Sequence, residues 1–142
     1  MFRQSRFKFI GNEPSTWPIP IIYRSGDKTS VILMEEQTLT LGSGRVEFLN
    51  VDGTGYYRVN HGDWEYAMSN AANDYERWSV INDAYAHLLQ GTLDINEYLN
   101  LIRRVSRSVN YLLTTTVIRQ LRTLYSINPA PVRQVLIDYL RT

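Results

Sequence analysis

Hydrophobic and polar positions along this chain change period once, near residue 61. Ahead of that point they alternate. Over residues 3–9 Phe7 and Phe9 alternate with Arg6 and Lys8, Ile19, Ile21 and Tyr23 follow Trp17-Pro18, and β-branched and aliphatic residues run from Thr29 to Met34. Shorter runs cover Thr38–Leu41 and Arg45–Leu49. Alternation of this kind predicts strands with one buried face, since successive side chains leave opposite sides of the pleat. Turns separate them at residues 11–16, Ser25-Gly26-Asp27, Gly42-Ser43-Gly44 and Asp52-Gly53. Pro18 and Pro20 cannot donate to a ladder, so they belong at an edge, a strand start or a bulge. A last strand is predicted over residues 53–60, with Tyr57 and Val59 on one face and Tyr56, Arg58 and Asn60 on the other. About six short strands at this spacing predict part of an antiparallel β-sandwich rather than a complete one.

After His61-Gly62-Asp63-Trp64 the period becomes helical. Asp63 is an expected N-cap for a helix carrying Trp64, Tyr66, Ala67 and Met68. The next helix, about Tyr75 to Gln90, spaces Trp78, Ile81, Tyr85 and Leu88 by three and four into one apolar stripe, and Gly91 is placed to end it. Asp94 with Glu97 resembles a capping box opening a helix with Ile95, Tyr98, Leu99, Ile102 and Val105 inward. Asn110 to Tyr125 repeats the pattern through Leu113, Val117, Leu121 and Leu124. Asn128-Pro129-Ala130-Pro131 then breaks it, with Pro131 suited to the first turn of a helix carrying Val132, Val135, Leu136 and Tyr139. Short connections predict antiparallel helical hairpins, or the first turns of a solenoid. The expected class is therefore α+β: a partial β-sandwich unit at about 1–61 and a partial α-helical unit at about 62–142.

Composition adds little except by exclusion. The 142 residues, 44% hydrophobic and 20% charged with formal net charge +1, are ordinary for a soluble domain. No cysteine is present, which removes disulfides and thiolate metal sites. No run of signal-peptide character opens the chain and none reaches the ~20 apolar residues of a membrane span, so a cytoplasmic setting without membrane contact is expected. The charge is unevenly placed. Residues 1–100 hold 8 Lys and Arg against 13 Asp and Glu, a balance of −5, whereas residues 101–142 hold 7 Arg against Asp138, a balance of +6. Solvated helix faces, or attraction between two parts of a larger protein, account for such a split. A sharper reading makes Arg103, Arg104, Arg107, Arg119 and Arg122 contacts for an anion or an acidic peptide end. Nucleic acid is disfavoured, because the aromatics keep helical core spacing and do not interleave with the arginines.

Four segments carry a resemblance. Gln4-Ser5-Arg6-Phe7 is similar to a Q-x-R-F strand, Trp17-Pro18-Ile19-Pro20-Ile21 to a W-x-I-P-I strand, and Gly55-Tyr56-Tyr57-Arg58-Val59-Asn60 followed by Trp64 to the strand that closes a sandwich. Residues 77–84, Arg-Trp-Ser-Val-Ile-Asn-Asp-Ala, are similar to an R-x-x-L-I-x-D-A helix. Together, and in this order, they resemble zinc aminopeptidases of the aminopeptidase N type, close to the archaeal tricorn-interacting members, over nearly the whole chain. The resemblance implies the end of the β-sandwich domain and the start of the C-terminal helical domain, with the catalytic domain upstream. It implies that zinc belongs to the parent enzyme, that the partners are that catalytic domain and its peptides, and that Tyr57, Arg58, Asn60, Trp64, Arg77 and Asp83 fix the junction.

The chemistry of that family needs two imidazoles one helical turn apart with a glutamate between them, H-E-x-x-H, and a further carboxylate ligand. The two histidines here, His61 and His87, are in no such pattern. His87 reads as a half-exposed helix residue and His61 as part of a turn. Met34-Glu35-Glu36 is a poor match to the family's G-x-M-E-N loop, since Ile32 takes the glycine position and Glu36 the asparagine position. Gly53-x-Gly55 leads into a predicted strand, not the helix that a phosphate loop requires. Ser106 and Ser108 flank Arg107 without a nearby acid or histidine. Arg77 and Asp83 do not share a helix face, so Arg77 is expected to pair with another element. The chain alone is thus expected not to be an enzyme and to hold no cofactor. A free-standing helical interaction module is the competing class. The unpaired apolar face near Leu140 reads as a cut, and self-association of such a fragment is expected.

Overall fold

The computed structural model of the chain describes residues 1–8, 10, 11, 15–42, 44–105 and 109–141. The first part holds short strands: β1 (Phe2–Arg3), β2 (Ile19–Ser25), β3 (Lys28–Met34), β4 (Thr38–Leu39) and β5 (Phe48–Leu49). β1 pairs with β4, and β2 is flanked by β3 and β5, all antiparallel. A 3-10 turn (Val51–Gly53) follows, then α1 (Trp64–Asn70), α2 (Asp74–Gln90), α3 (Ile95–Arg104), α4 (Tyr111–Ile127) and α5 (Pro129–Arg141). The architecture is α+β. Among the described residues no helix is long and apolar enough to cross a membrane.

The β2–β3 hairpin follows the predicted alternation, with Ile19 opposite Met34 and Ser25 opposite Lys28. Even-numbered backbone groups of β2 point away from β3: the Asn50 N–H donates to the Ile22 oxygen at 2.7 Å and the Glu47 N–H to the Arg24 oxygen at 2.9 Å. Pro20 lies in the same phase, beyond the end of β5, where no ladder partner loses a donor. The first and fourth predicted strands contract to two residues each, and the fifth keeps only Phe48–Leu49. Phe9 and residues 12–14 of the predicted loop at 11–16 lie outside the described residues.

The predicted strand over residues 53–60 does not form. Its faces are nonetheless as read: Tyr57 and Val59 turn inward while Tyr56, Arg58 and Asn60 are exposed. The segment is extended in its side-chain phase but pairs with no strand, because side chains satisfy its backbone instead. Asn50, in the left-handed region at φ 62°, accepts the Gly55 N–H on its side-chain oxygen at 2.7 Å. A Cβ at Gly55 would overlap the Tyr57 ring and the Asn50 side chain, so this glycine is needed for close approach.

Helix boundaries track the predicted caps. Asp63 accepts the Tyr66 N–H at 2.9 Å, Asn110 accepts the Leu113 N–H at 3.1 Å, and Gly91 ends α2 at φ 79°. Asp94 caps α3 through the Asn96 N–H rather than through a reciprocal bond with Glu97. α5 starts at Pro129, two residues earlier than expected, since Pro129 itself fits the first helical position. α2 is the central helix, packed on α1, α3, α4 and the 3-10 turn. Its buried surface therefore differs from the single predicted stripe: of that stripe Ile81 is buried and Trp78, Tyr85 and Leu88 only partly so, whereas Glu76, Ser79, Val80, Asp83, Ala84, Ala86 and His87 are buried. One hydrophobic cluster joins Phe48 and Val51 from the first part to Trp64, Ile81, Tyr98, Leu121 and Val135 from the helices.

Candidate functional site

Where the sheet meets α2, two polar anchors sit inside that apolar contact. Glu76, fully buried, takes both guanidinium nitrogens of Arg24 at 2.7 and 3.0 Å, and also the Ala72 N–H at 2.7 Å. Arg24 reaches the Asn70 carbonyl as well, at 2.6 Å. With bidentate geometry and further hydrogen bonds, the buried carboxylate is satisfied in the way that makes such a pair tolerable. The second anchor lies two turns along α2. Asp83 accepts the Val59 N–H at 3.1 Å on one oxygen and faces Arg58 at 3.5 Å on the other. Burial raises the Asp83 carboxyl to about 7, against the lowering effects of the Val59 hydrogen bond and Arg58. Tyr57 closes the arrangement by accepting the Ile22 N–H on its hydroxyl at 3.1 Å.

Between these anchors lies an aromatic cluster. The Trp64 ring contacts His61 at 5.2 Å and His87 at 5.5 Å between centroids, and Phe7 meets His87 edge-on at 5.5 Å. His87 is buried, not half-exposed as expected, because α2 is covered on this side by α1 and Phe7; its Nδ1 lies 2.9 Å from the Thr92 hydroxyl. Burial lowers the pKa of His61 to about 4, with His87 adding to the effect, and burial likewise lowers His87. The His61 Nε2 is buried with no hydrogen-bond partner. The two imidazoles thus come to the same indole, but among the described residues no carboxylate joins them and no three His, Cys, Asp or Glu side chains group as a metal site. These side chains do not fit a zinc ion, whose ligands would be three or four convergent donors.

The sequence-derived junction residues divide. Tyr57, Arg58, Trp64 and Asp83 meet at this boundary, whereas Asn60 is exposed and its side chain accepts the nearby Gly62 N–H, at 3.1 Å. Arg77 pairs along α2 with Asp74 at 3.0 Å, three residues away, and also reaches the carbonyl of Ala71, the residue that caps the end of α1, at 3.5 Å. Four of the five tail arginines lie among the described residues. Arg103 bonds Asn100 at 2.7 Å, Arg104 pairs with Glu65 at 2.8 Å, Arg122 is exposed, and Arg107 lies outside the described residues. Arg119 lines a cleft of about 450 Å³ with Arg58, Asn82, Tyr85 and Phe7. Sequence reasoning missed Arg24 and Glu76, which are 52 residues apart, and it missed what Gln4 does. The buried Gln4 amide donates to the Trp17 and Glu36 carbonyls at 3.0 and 2.8 Å and accepts the Trp17 N–H at 2.9 Å. The available signal was a glutamate on the buried phase of a helix whose neighbours at Val80 and Ala84 are apolar.

No family model matches the chain. Curated relatives do: it is 29% identical over 98% of its length to Probable aminopeptidase 1 of Sulfurisphaera tokodaii. It is 31% identical over 97% of its length to Tricorn protease-interacting factor F2 of Thermoplasma volcanium, and 29% identical over 80% to Aminopeptidase Ey of Gallus gallus. The chain spans 18% of the length of the two archaeal relatives and 11% of the avian one. The relatives are thus named aminopeptidases, as the four-segment resemblance implied, and each is far longer than this sequence.

Proposed function

We propose that this chain is a non-catalytic segment of a zinc aminopeptidase, joining the β-sandwich at about 1–61 to the first helices, at about 62–142, of a domain that walls the substrate cavity. The observation that carries the reading is alignment of nearly the whole chain with under a fifth of proteins named aminopeptidases. In such a parent, zinc and its activated water belong to the part of the enzyme outside these residues. The contribution of this segment is positional. Arg24 with Glu76, and Val59 and Arg58 with Asp83, fix the angle at which α2 leaves the sheet, and α3 to α5 pack outward from α2. Orientation of this kind matters because a small misplacement of groups bounding a site costs rate well beyond its size. The partners are then the catalytic domain of the same protein and its peptides.

Transplanting the chain into the Sulfurisphaera tokodaii relative, in place of its matching segment, tests this. The chimera is expected to hydrolyse aminoacyl amides. An Arg24→Leu, Glu76→Leu pair that keeps the chimera folded is expected to alter its preference between short and long peptides. Hydrolysis of aminoacyl amides by the isolated chain with added zinc would overturn the proposal.

A further inference from the structure

The cleft between Arg58 and α4 is built for one kind of ligand. Two guanidinium groups, Arg58 and Arg119, line it and no carboxylate does. Its amide and carbonyl acceptors on Asn82 and Gln120 are occupied. The Asn82 backbone oxygen takes Arg58 at 3.2 Å, the Asn82 side-chain oxygen takes Gln120 at 3.4 Å, and the Gln120 oxygen takes the Tyr98 hydroxyl at 2.8 Å. Its donors are not. Among the described residues neither the Arg119 guanidinium nor the Asn82 side-chain NH₂ has a hydrogen-bond or ion-pair partner. Gln120, buried at 4% exposure and held at both ends, keeps this wall fixed before anything binds. The remaining lining is apolar at Phe7, whose ring lies 5.6 Å from the Arg58 guanidinium carbon, and at Ala86 and Leu89, with Tyr85 and with Thr123, whose hydroxyl donates to the Arg119 carbonyl at 3.0 Å, as its polar members. Asp83, the acid that faces Arg58, has a carboxyl raised toward neutrality by burial, so it offsets the cleft's charge only in part.

From this arrangement we infer that the cleft binds a monocarboxylate carried on a short apolar body, the carboxylate between Arg58 and Arg119 with the Asn82 amide as third donor and the apolar part on Phe7 and Leu89. A carboxylate accepts from planar guanidinium donors more strongly than a neutral group does. A volume of about 450 Å³ is near the lower end of ordinary ligand pockets, which suits a group no larger than an aromatic amino acid. The inference holds whether or not the chain is part of a peptidase, since it uses only these side chains.

Titration of the isotopically labelled chain with hydrocinnamate, read on the side-chain amide signals of Asn82 and Gln120, tests it. Saturable shifts are expected, with the neutral hydrocinnamide at least about tenfold weaker. Arg119→Gln is expected to weaken hydrocinnamate by a similar factor, about tenfold, while Arg122→Gln, one turn away in exposed surface, leaves it unchanged. Gly-Gly-Phe with a free carboxyl, set against the same peptide amidated, distinguishes the source. Equal or tighter binding of the free-acid peptide identifies a peptide end, and binding of hydrocinnamate alone identifies a small free acid. Equal binding of acid and amide, no effect of Arg119→Gln, equal weakening by Arg122→Gln, or the same shifts from inorganic phosphate would each overturn the assignment.

Discussion

Two buried titratable groups near the junction, Asp83 and His61, respond to pH in opposite directions. Asp83 has its folded pKa raised to about 7, so the folded chain holds a proton that the unfolded chain releases near the ordinary value of 3.8. Its contribution is complete below that ordinary value and is lost as pH rises through about 7. His61, lowered from 6.5 to about 4, contributes fully above 6.5 and loses that contribution as pH falls toward 4, and His87 moves the same way. Within that window the effects offset each other, and between 6.5 and 7 the Asp83 slope acts alone. Asp83→Asn keeps an acceptor for the Val59 N–H while removing the proton. Urea unfolding at about pH 5 and about pH 7.5 should show the wild type losing on the order of 2–3 kcal/mol relative to this variant as pH rises. Parallel curves would mean that Asp83 is ionised across the range. His61→Phe should in turn flatten the loss on the acid side, and an unchanged acid limb would exclude His61 as its source.

Among the elements, those that depend on local signals were legible in the sequence and those that depend on a distant partner were not. Asp63, Asn110 and Gly91 mark helix ends through bonds to residues within four positions, and sequence spacing shows such bonds directly. Alternation over residues 53–60 reports which side chains turn inward, and it did so, but it cannot report a partner strand; here side chains of Asn50 and Asp83 take the backbone N–H groups that a ladder would have used. The buried Glu76 and His87 of α2 were hidden for the same reason, since what covers them comes from Arg24 and from Phe7. The two glycines separate these causes. Gly91 has a positive φ of 79° and open space where a methyl would sit, so Gly91→Ala is expected to cost about 1 kcal/mol from backbone strain alone. Gly55→Ala meets the Tyr57 ring and the Asn50 side chain, and should cost about 2 kcal/mol or more through forced displacement. Thermal melts of the two variants check the order; a Gly55→Ala no worse than Gly91→Ala would show that the segment yields freely. Arg24→Leu belongs to the same class of long-range contact, and leaving the Glu76 carboxylate buried without its partner should cost about 3 kcal/mol or more by urea unfolding. A cost below about 1 kcal/mol would place water, not Arg24, as the group that satisfies Glu76.

For the whole molecule, what matters is where the β2–β3 face is covered and where it is not. At Ile22 and Arg24 this face lies against the 3-10 turn and α2. Across the hairpin and further along, the same side carries Val31 opposite Ile22 and Leu33 opposite Pro20, and these two are 65% and 51% exposed. β3 is also an edge strand, with backbone groups on its outer side free to meet another strand. An apolar strip beside an open edge favours pairing between chains at high concentration, because both the hydrophobic area and the unpaired backbone groups are satisfied at once. Sedimentation velocity over a wide range of concentrations should therefore show reversible dimerisation. Val31→Lys with Leu33→Lys should abolish it, since two like charges would be brought together at the seam while nothing buried in the monomer is disturbed. In the proposed parent this strip would face the rest of the enzyme, so the double variant placed in the chimera should also loosen its assembly. Monomer at every concentration would overturn the prediction, and a dimer unaffected by the lysines would move the contact surface away from β3, toward α4 and α5, where Tyr111, Ile127 and Leu140 are among the large apolar side chains left in solvent.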